Sequence, residues 1–415
     1  MKRPTLHGSA AAWLVPLTCE CAALLRSVIL ARLLGPEELG KVMILALALR
    51  LVEMTSDFSI ERLMAQAPDG GSTRFQRAMH GAALLRGGAL AVIVLVISLP
   101  MALVFSGGPQ ASSFALLALA PVMRGLVHLD YRRWERGFDY RGLLIVEGGA
   151  AAVMLAVTPL AVFAIADHRA LIPVVLAQGL AQLVLSHRLA RRRWRLSFER
   201  KALSRLISFG TPLLANSVLM FLTFHADRMI IAGFYDWADV GRYCIALQLA
   251  LLPAQIAGRA AASLLAPTFR RALAADSIRA ASAPAIRGYI LLGAAFLLGY
   301  GLLAEPVIIV IYGPDFAIGG ALIWALGAAA AVRIARTPLS QLAVALGRTG
   351  VPARANLLRA SAVLFAFVAA WSGAPLAAMA GAGAIGEVLA AIRASALLRS
   401  AIAPRCSHSR REAAT

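Results

Sequence analysis

Apolar residues in this chain come in long blocks rather than in alternation with polar ones. Stretches of about 20 mostly apolar residues recur along the sequence, parted by short polar segments. A helix needs roughly 20 residues to cross a bilayer's hydrocarbon core. The blocks therefore predict transmembrane helices at 11–33, 39–64, 81–106, 111–129, 142–166, 170–187, 208–234, 242–267, 286–312, 317–346, 355–373 and 374–400. Turn residues mark the breaks: Gly35-Pro36, Gly107-Gly108-Pro109, Gly313-Pro314 and Ser372-Gly373-Ala374-Pro375. The expected architecture is an all-α integral membrane protein of about 12 transmembrane helices in two six-helix lobes. The lobes span 1–190 and 208–400, joined by a basic linker at 191–207 and followed by a tail at 401–415.

Composition supports the pattern. The 415 residues are 60% hydrophobic and 15% charged, against roughly 25% charged in soluble domains, so a large soluble core is excluded. A net charge of +20 would fit a nucleic-acid binder, but its distribution does not. The basic residues gather in alternate loops, and the longest polar stretch, 187–207, carries eight of them. That asymmetry predicts both termini on the cytoplasmic side of a bacterial inner membrane, with only short loops opposite. The stretch after Met1-Lys2-Arg3 resembles a signal peptide. It holds Glu20 and Arg26 and ends in no small-residue cleavage site, so it is expected to remain as the first helix. Cys19, Cys21, Cys244 and Cys406 have neither metal-ligand nor disulfide-framework spacing.

The halves echo one another. "LARLLGPEELGKVMILAL" from Leu30 lies over "IAGFYDWADVGRYCIALQ" from Ile231, matching Glu38, Gly40 and Lys41 with Asp239, Gly241 and Arg242. Paired repeats of this kind are a transporter design, with the substrate site where the repeats meet. Two apparent nucleotide motifs fail. "GPEELGK" from Gly35 is followed by Val42 where a P-loop needs Ser or Thr, and "GAGAIG" from Gly381 sits in an alanine-rich helix where small residues serve packing. No catalytic constellation, metal-ligand cluster or cofactor motif is present, so the chain is expected to be no enzyme and to use no cofactor.

Ionisable side chains at membrane depth are costly and mark a cavity or a partner. Arg50, Glu53, Asp57 and Glu61 share one face of the second predicted helix. Gln248, Gln255, Arg259 and Ser263 do so on the eighth, and Asn216, Thr223 and Asp227 on the seventh. Arg333 and Arg336 lie in the tenth, Glu20 and Arg26 in the first. Arg26, Arg50, Arg259, Arg333, Arg336, Gln255 and Asn216 are the candidate substrate-binding residues, and Glu20, Glu53, Asp57 and Asp227 the candidate coupling or ion-pairing acids. An excess of arginine suits an anionic headgroup, because its planar fork binds phosphate through two hydrogen bonds and keeps its proton.

The segments 30–66 and 209–253 resemble the bacterial polysaccharide-biosynthesis flippases of the O-antigen and exopolysaccharide type. Ser59 departs from the glycine expected after the acidic residue of the second helix. The resemblance implies the multidrug/oligosaccharidyl-lipid/polysaccharide exporter (MOP) fold, two six-helix lobes about a central cavity. It implies cavity arginines on helices 1, 2 and 8, which here hold Arg26, Arg50 and Arg259. The implied cargo is a polyprenyl-diphosphate-linked oligosaccharide moved from the cytoplasmic to the periplasmic leaflet by alternating access. Its implied partners are the bilayer, a polysaccharide polymerase and glycosyltransferases, with no nucleic acid. A drug or cation antiporter of the same fold, and a polytopic polymerase or ligase, are the competing expectations.

Overall fold

Lipid offers no hydrogen bonds to exposed backbone, so a chain this apolar must satisfy its N–H and C=O groups within helices. The computed structural model describes residues 6–402 apart from 55–57, 276 and 349, with the side chains of 6–14, 212, 215, 216 and 399–402 also outside the description. Among the described residues there are helices and connecting turns but no strands. Among the described residues, nine helices are long and apolar enough to cross a membrane, or ten if a bent pair, Ala111–Gly125 with Asp130–Gly137, counts as one span. The protein is a multi-pass membrane protein of all-helical fold.

The chain divides into two compact units, Met1–Phe221 and Leu222–Thr415. The first begins with α1 (Leu6–Met54), which holds both arms of the first predicted hairpin. Its break is Gly35, at φ 76 and ψ 177, followed at once by Pro36. Proline fits the first turn of a new helix because its missing N–H would have no partner there. Then come α2 (Ile60–Gln66), α3 (Thr73–Val104), α4 (Ala111–Leu116), α5 (Leu119–Gly125), α6 (Asp130–Trp134) and α7 (Arg141–Leu143). A π-helical turn, Leu144–Gly148, leads from α7 into α8 (Gly149–Ile165), and α9 (Leu171–Leu189) completes the set.

One prediction fails here for a clear reason. The second helix, expected over 39–64, is interrupted at Phe58 and Ser59, which are not helical, and restarts as α2. Ser59 stands before α2 in the left-handed region, φ 53 and ψ 46, the conformation that favours the glycine expected there. Arg50 and Glu61 therefore lie on different helices, and Asp57 lies outside the described residues. Ser59→Gly should leave stability unchanged or raise it by about 0.5–1 kcal/mol. Ser59→Val should lower it, because a β-branched residue strains at positive φ. Thermal unfolding of the two variants in detergent checks the sign; equal midpoints would refute the strain.

The segment read as a solvated linker is in fact strapped along the first unit. Residues 190–199 are not helical, and α10 (Arg200–Phe234) takes over from Arg200. Ser197 N donates to Arg77 O at 3.0 Å, and Arg192 reaches Gly71 O at 3.0 Å and Gln76 Oε1 at 2.9 Å. Glu199 pairs with Arg74 and Arg205 with Asp69. Each arginine's hydrogen bond holds its carboxyl below the usual carboxylate range. A lowered folded-state pKa means the strap's support is complete above the ordinary carboxylate range and is lost as pH falls through the lowered value. Amide exchange across 190–199, corrected for intrinsic rate, should therefore rise only below about pH 4. An increase already present at neutral pH would contradict it.

The second unit takes in the end of α10 and α11 (Trp237–Ala274), α12 (Ile278–Tyr312), α13 (Gly320–Ala345), α14 (Gly350–Ala360), α15 (Ala362–Trp371) and α16 (Leu376–Ile402). Its central helix is α13, which packs on α11, α12 and α16 and has half of its most apolar stretch buried. Of the glycines in "GAGAIG", Gly386 alone is at a close approach: a Cβ there would sit 2.5 Å from Ala362 Cβ. That contact fixes the height of its neighbour, Glu387, beside α13 and α14. The matched hairpins of the two halves also share a local ion pair: Lys41 to Glu38 at 2.7 Å, and Arg242 to Asp239 at 3.7 Å.

Candidate functional site

Where α1 stops short, the first unit opens a polar cavity of about 510 Å³. Arg50 and Glu53 come from the last turn of α1, Ser59 and Arg62 from the restart at α2, Arg86 from α3 and Arg124 from α5. Tyr131 and Arg132 on α6, Glu147 in the π-helical turn, and Gln178 and Gln182 on α9 line the rest.

Two kinds of arginine share the cavity. Arg132 is committed to structure, at 3.0 Å from Glu61, 2.9 Å from Glu147 and 3.3 Å from Glu135. Glu147 Oε1 also accepts from Tyr131 OH at 3.0 Å and Gln182 Nε2 at 3.0 Å. Glu53 pairs with half-exposed Arg124, while its carbonyl accepts from Arg86 Nη2 at 3.0 Å. Arg50 and Arg62 are exposed, and among the described residues neither has an acidic or hydrogen-bonding partner. Among the described residues, five arginines (Arg50, Arg62, Arg86, Arg124, Arg132) face three glutamates (Glu53, Glu61, Glu147) in the lining, an excess of two positive charges. Such a surface holds an anion by charge and a hydroxyl-rich group by the half-buried Gln178 and Gln182 side chains.

Of the residues singled out in the sequence, the cavity brings together Arg50, Glu53 and Glu61. Arg26 does not line it; its Nη1 lies 3.4 Å from Met154 Sδ on α8. Glu20 is exposed on α1. In the second unit, Gln255 and Arg259 are exposed on α11. Asp227 accepts from Tyr243 OH at 2.7 Å and from Arg228 N at 2.9 Å. The Asn216 side chain lies outside the described residues. Arg333 and Arg336 are not open to this cavity; both bond Glu387, at 2.9 and 2.7 Å. Sequence reasoning missed Arg62, Arg86, Arg124 and Arg132. Arg132 was counted among the loop arginines that orient a membrane protein, and only the fold turns it inward. Among the described residues, no three His, Cys, Asp or Glu side chains are placed to hold a metal ion.

A family model described as "Polysaccharide biosynthesis protein" matches residues 29–317. The chain is 25% identical over 299 residues to the succinoglycan biosynthesis transport protein ExoT of Rhizobium meliloti (strain 1021). That match takes in 70% of this chain and 58% of the relative, so the chain spans little more than half of that protein's length. In fold it is similar to the lipid II flippase MurJ in an inward closed conformation, with a TM-score of 0.73 at 12% identity over 95% of this chain and 88% of that one. It is likewise similar to an inward-facing multidrug resistance MATE family transporter of the MOP superfamily, with a TM-score of 0.67 at 16% identity over 93% and 95% of the two chains. At these identities the structural likenesses show the fold alone, and that fold is the one the two flanking segments implied.

Proposed function

The chain belongs to the polysaccharide biosynthesis protein family, and on that premise we propose that it is a flippase for a polyprenyl-diphosphate-linked oligosaccharide. The observation that carries the reading is the pair of unpartnered arginines, Arg50 and Arg62, in a cavity with two positive charges in excess. A diphosphate diester carries about two negative charges, each of which costs many kcal/mol to take into hydrocarbon unpaired. Fixed guanidinium groups replace the water that the headgroup sheds, while Gln178 and Gln182 offer hydrogen bonds to sugar hydroxyls. The polyprenyl tail stays in lipid throughout.

The same family relation supports alternating access between two six-helix lobes, 1–190 and 208–400, with both termini in the cytoplasm of a bacterial inner membrane. Transport then runs from the cytoplasmic to the periplasmic leaflet, upstream of a polymerase and downstream of the glycosyltransferases that build the cargo. The MATE likeness raises a cation-antiporter reading. The cavity argues against it, since surplus arginine repels a cation.

The test is genetic. In a strain deleted for this gene, lipid-linked oligosaccharide should accumulate in the cytoplasmic leaflet, and the wild-type gene should clear it. A deletion strain that exports polysaccharide normally while becoming sensitive to cationic drugs would favour the antiporter.

A further inference from the structure

The second unit holds a buried charge cluster that the proposed transport site does not use. Glu387 on α16 has 2% of its side chain exposed and receives three guanidinium groups. Arg333 and Arg336 of α13 approach it through Nε at 2.9 and 2.7 Å, and Arg359 of α14 through Nε at 2.8 Å. Arg333 and Arg359 also both lie over the ring of Phe224, at 4.5 and 4.2 Å from its centroid. One carboxylate thus stands against three permanent cations. The nearby acid, Asp227, accepts from Tyr243 OH and from the backbone N–H of Arg228, and Glu387 is the one carboxylate in direct contact with the three arginines among the described residues.

The way the cluster is wired shows where the surplus points. Each arginine spends its Nε on Glu387, which leaves its two Nη groups at the far end of the plane. Arg336 uses one of them on Asn356 Oδ1, at 3.2 Å. Among the described residues, the Nη groups of Arg333 and Arg359 have no acceptor, and Nη1 of Arg359 is fully buried without one. A buried donor left unmade costs about 1–3 kcal/mol, and like charges gathered in a low dielectric repel strongly. The carboxylate is sealed, yet Arg333 and Arg359 keep 17% and 12% of their side chains accessible. The carboxylate is thus fully covered, while the guanidinium groups around it keep unmade hydrogen bonds.

We propose that Arg333 and Arg359, propped by Glu387, Arg336 and Phe224, form an anion site in the second unit that takes a phosphate-class oxyanion. Paired planar guanidinium groups match the geometry of phosphate oxygens better than that of a spherical halide. The phosphate group is either that of a free inorganic ion or that of a lipid diphosphate. This site lies wholly in the second unit, and its existence does not depend on the transport reading.

The experiment follows unfolding of the purified full-length protein in detergent, at constant ionic strength set with gluconate. Inorganic phosphate, farnesyl diphosphate and chloride are each titrated in. Saturating phosphate or farnesyl diphosphate should raise the midpoint by about 3 °C or more. The shift should survive in Arg50→Ala/Arg62→Ala, whose first-unit cavity is crippled, and vanish when Arg359→Gln or Arg333→Gln is added to that double variant. A response to farnesyl diphosphate alone assigns the site to a lipid diphosphate, and a response to both assigns it to the phosphate group itself. Should Arg359→Gln fail to fold, Arg359→Lys keeps the charge, and phosphate affinity should fall about tenfold with the fold intact. No phosphate-specific shift in Arg50→Ala/Arg62→Ala, an equal shift with chloride, or a shift in that background that survives both glutamine variants would overturn the proposal.

Discussion

Replacing Arg50 and Arg62 together with alanine should lower export at least a hundredfold while leaving the protein folded and inserted. Both side chains are exposed to the cavity and without a partner among the described residues, so removing them strands no buried group. A hydrogen bond to a charged group is worth about 1.5–3 kcal/mol, or roughly tenfold to a hundredfold for each arginine lost. Lysine at both positions should restore part of the activity, since it returns the charge but not the planar fork. Arg193 is the proper control: it is exposed on the strapped segment, whereas neighbouring Arg192 holds Gly71 and Gln76. Export of cell-surface polysaccharide, measured at matched membrane levels of each variant, reads the effect. Wild-type export by the double variant would remove these arginines from the mechanism.

Glu387→Ala should be the most damaging single substitution for stability. It leaves three guanidinium groups of α13 and α14 without their shared carboxylate, and breaking a buried pair by removing one partner costs about 3–5 kcal/mol. Glu387→Gln keeps the shape but not the charge and should fall between alanine and wild type. Unfolding midpoints in detergent check the order. Should Glu387→Ala melt with the wild type, the cluster does not hold the second unit together.

The two sites differ in how much of them a linear reading could reach. The broad design was legible because lipid imposes it: apolar blocks of spanning length, breaks at Gly-Pro, basic loops in alternation. Arg50 and Glu53 stood out too, on one helix face, and both line the first-unit cavity, though Glu53 pairs with Arg124. What failed was continuity. A helical stripe through Glu61 assumes that the helix persists, and the restart after left-handed Ser59 divides it. The hint was present, since glycine was expected where serine stands, but it was read as a departure from a family pattern and not as a break.

The second unit shows the opposite limit. Arg333 and Arg336 stood out as intramembrane cations, yet their partner Glu387 lies 54 and 51 residues away, on another helix. Nothing in local spacing predicts which buried acid a buried base will meet. Packing decides it, here through the close approach of Gly386 to Ala362. Arg132 makes the same point within the first unit, where a loop arginine by hydropathy becomes the hub of Glu61, Glu135 and Glu147.

The central claim is that the cavity carries a diphosphate headgroup, and reconstituted liposomes test it most directly. The purified protein would be placed in vesicles holding a fluorescent polyprenyl-diphosphate-linked oligosaccharide, with a quencher added outside to count the molecules in each leaflet. Wild-type protein should exchange the lipid between leaflets, Arg50→Ala/Arg62→Ala should not, and a quaternary ammonium drug should stay where it was loaded. Movement of the drug down or against an ion gradient, with the diphosphate lipid left in its original leaflet, would contradict the account.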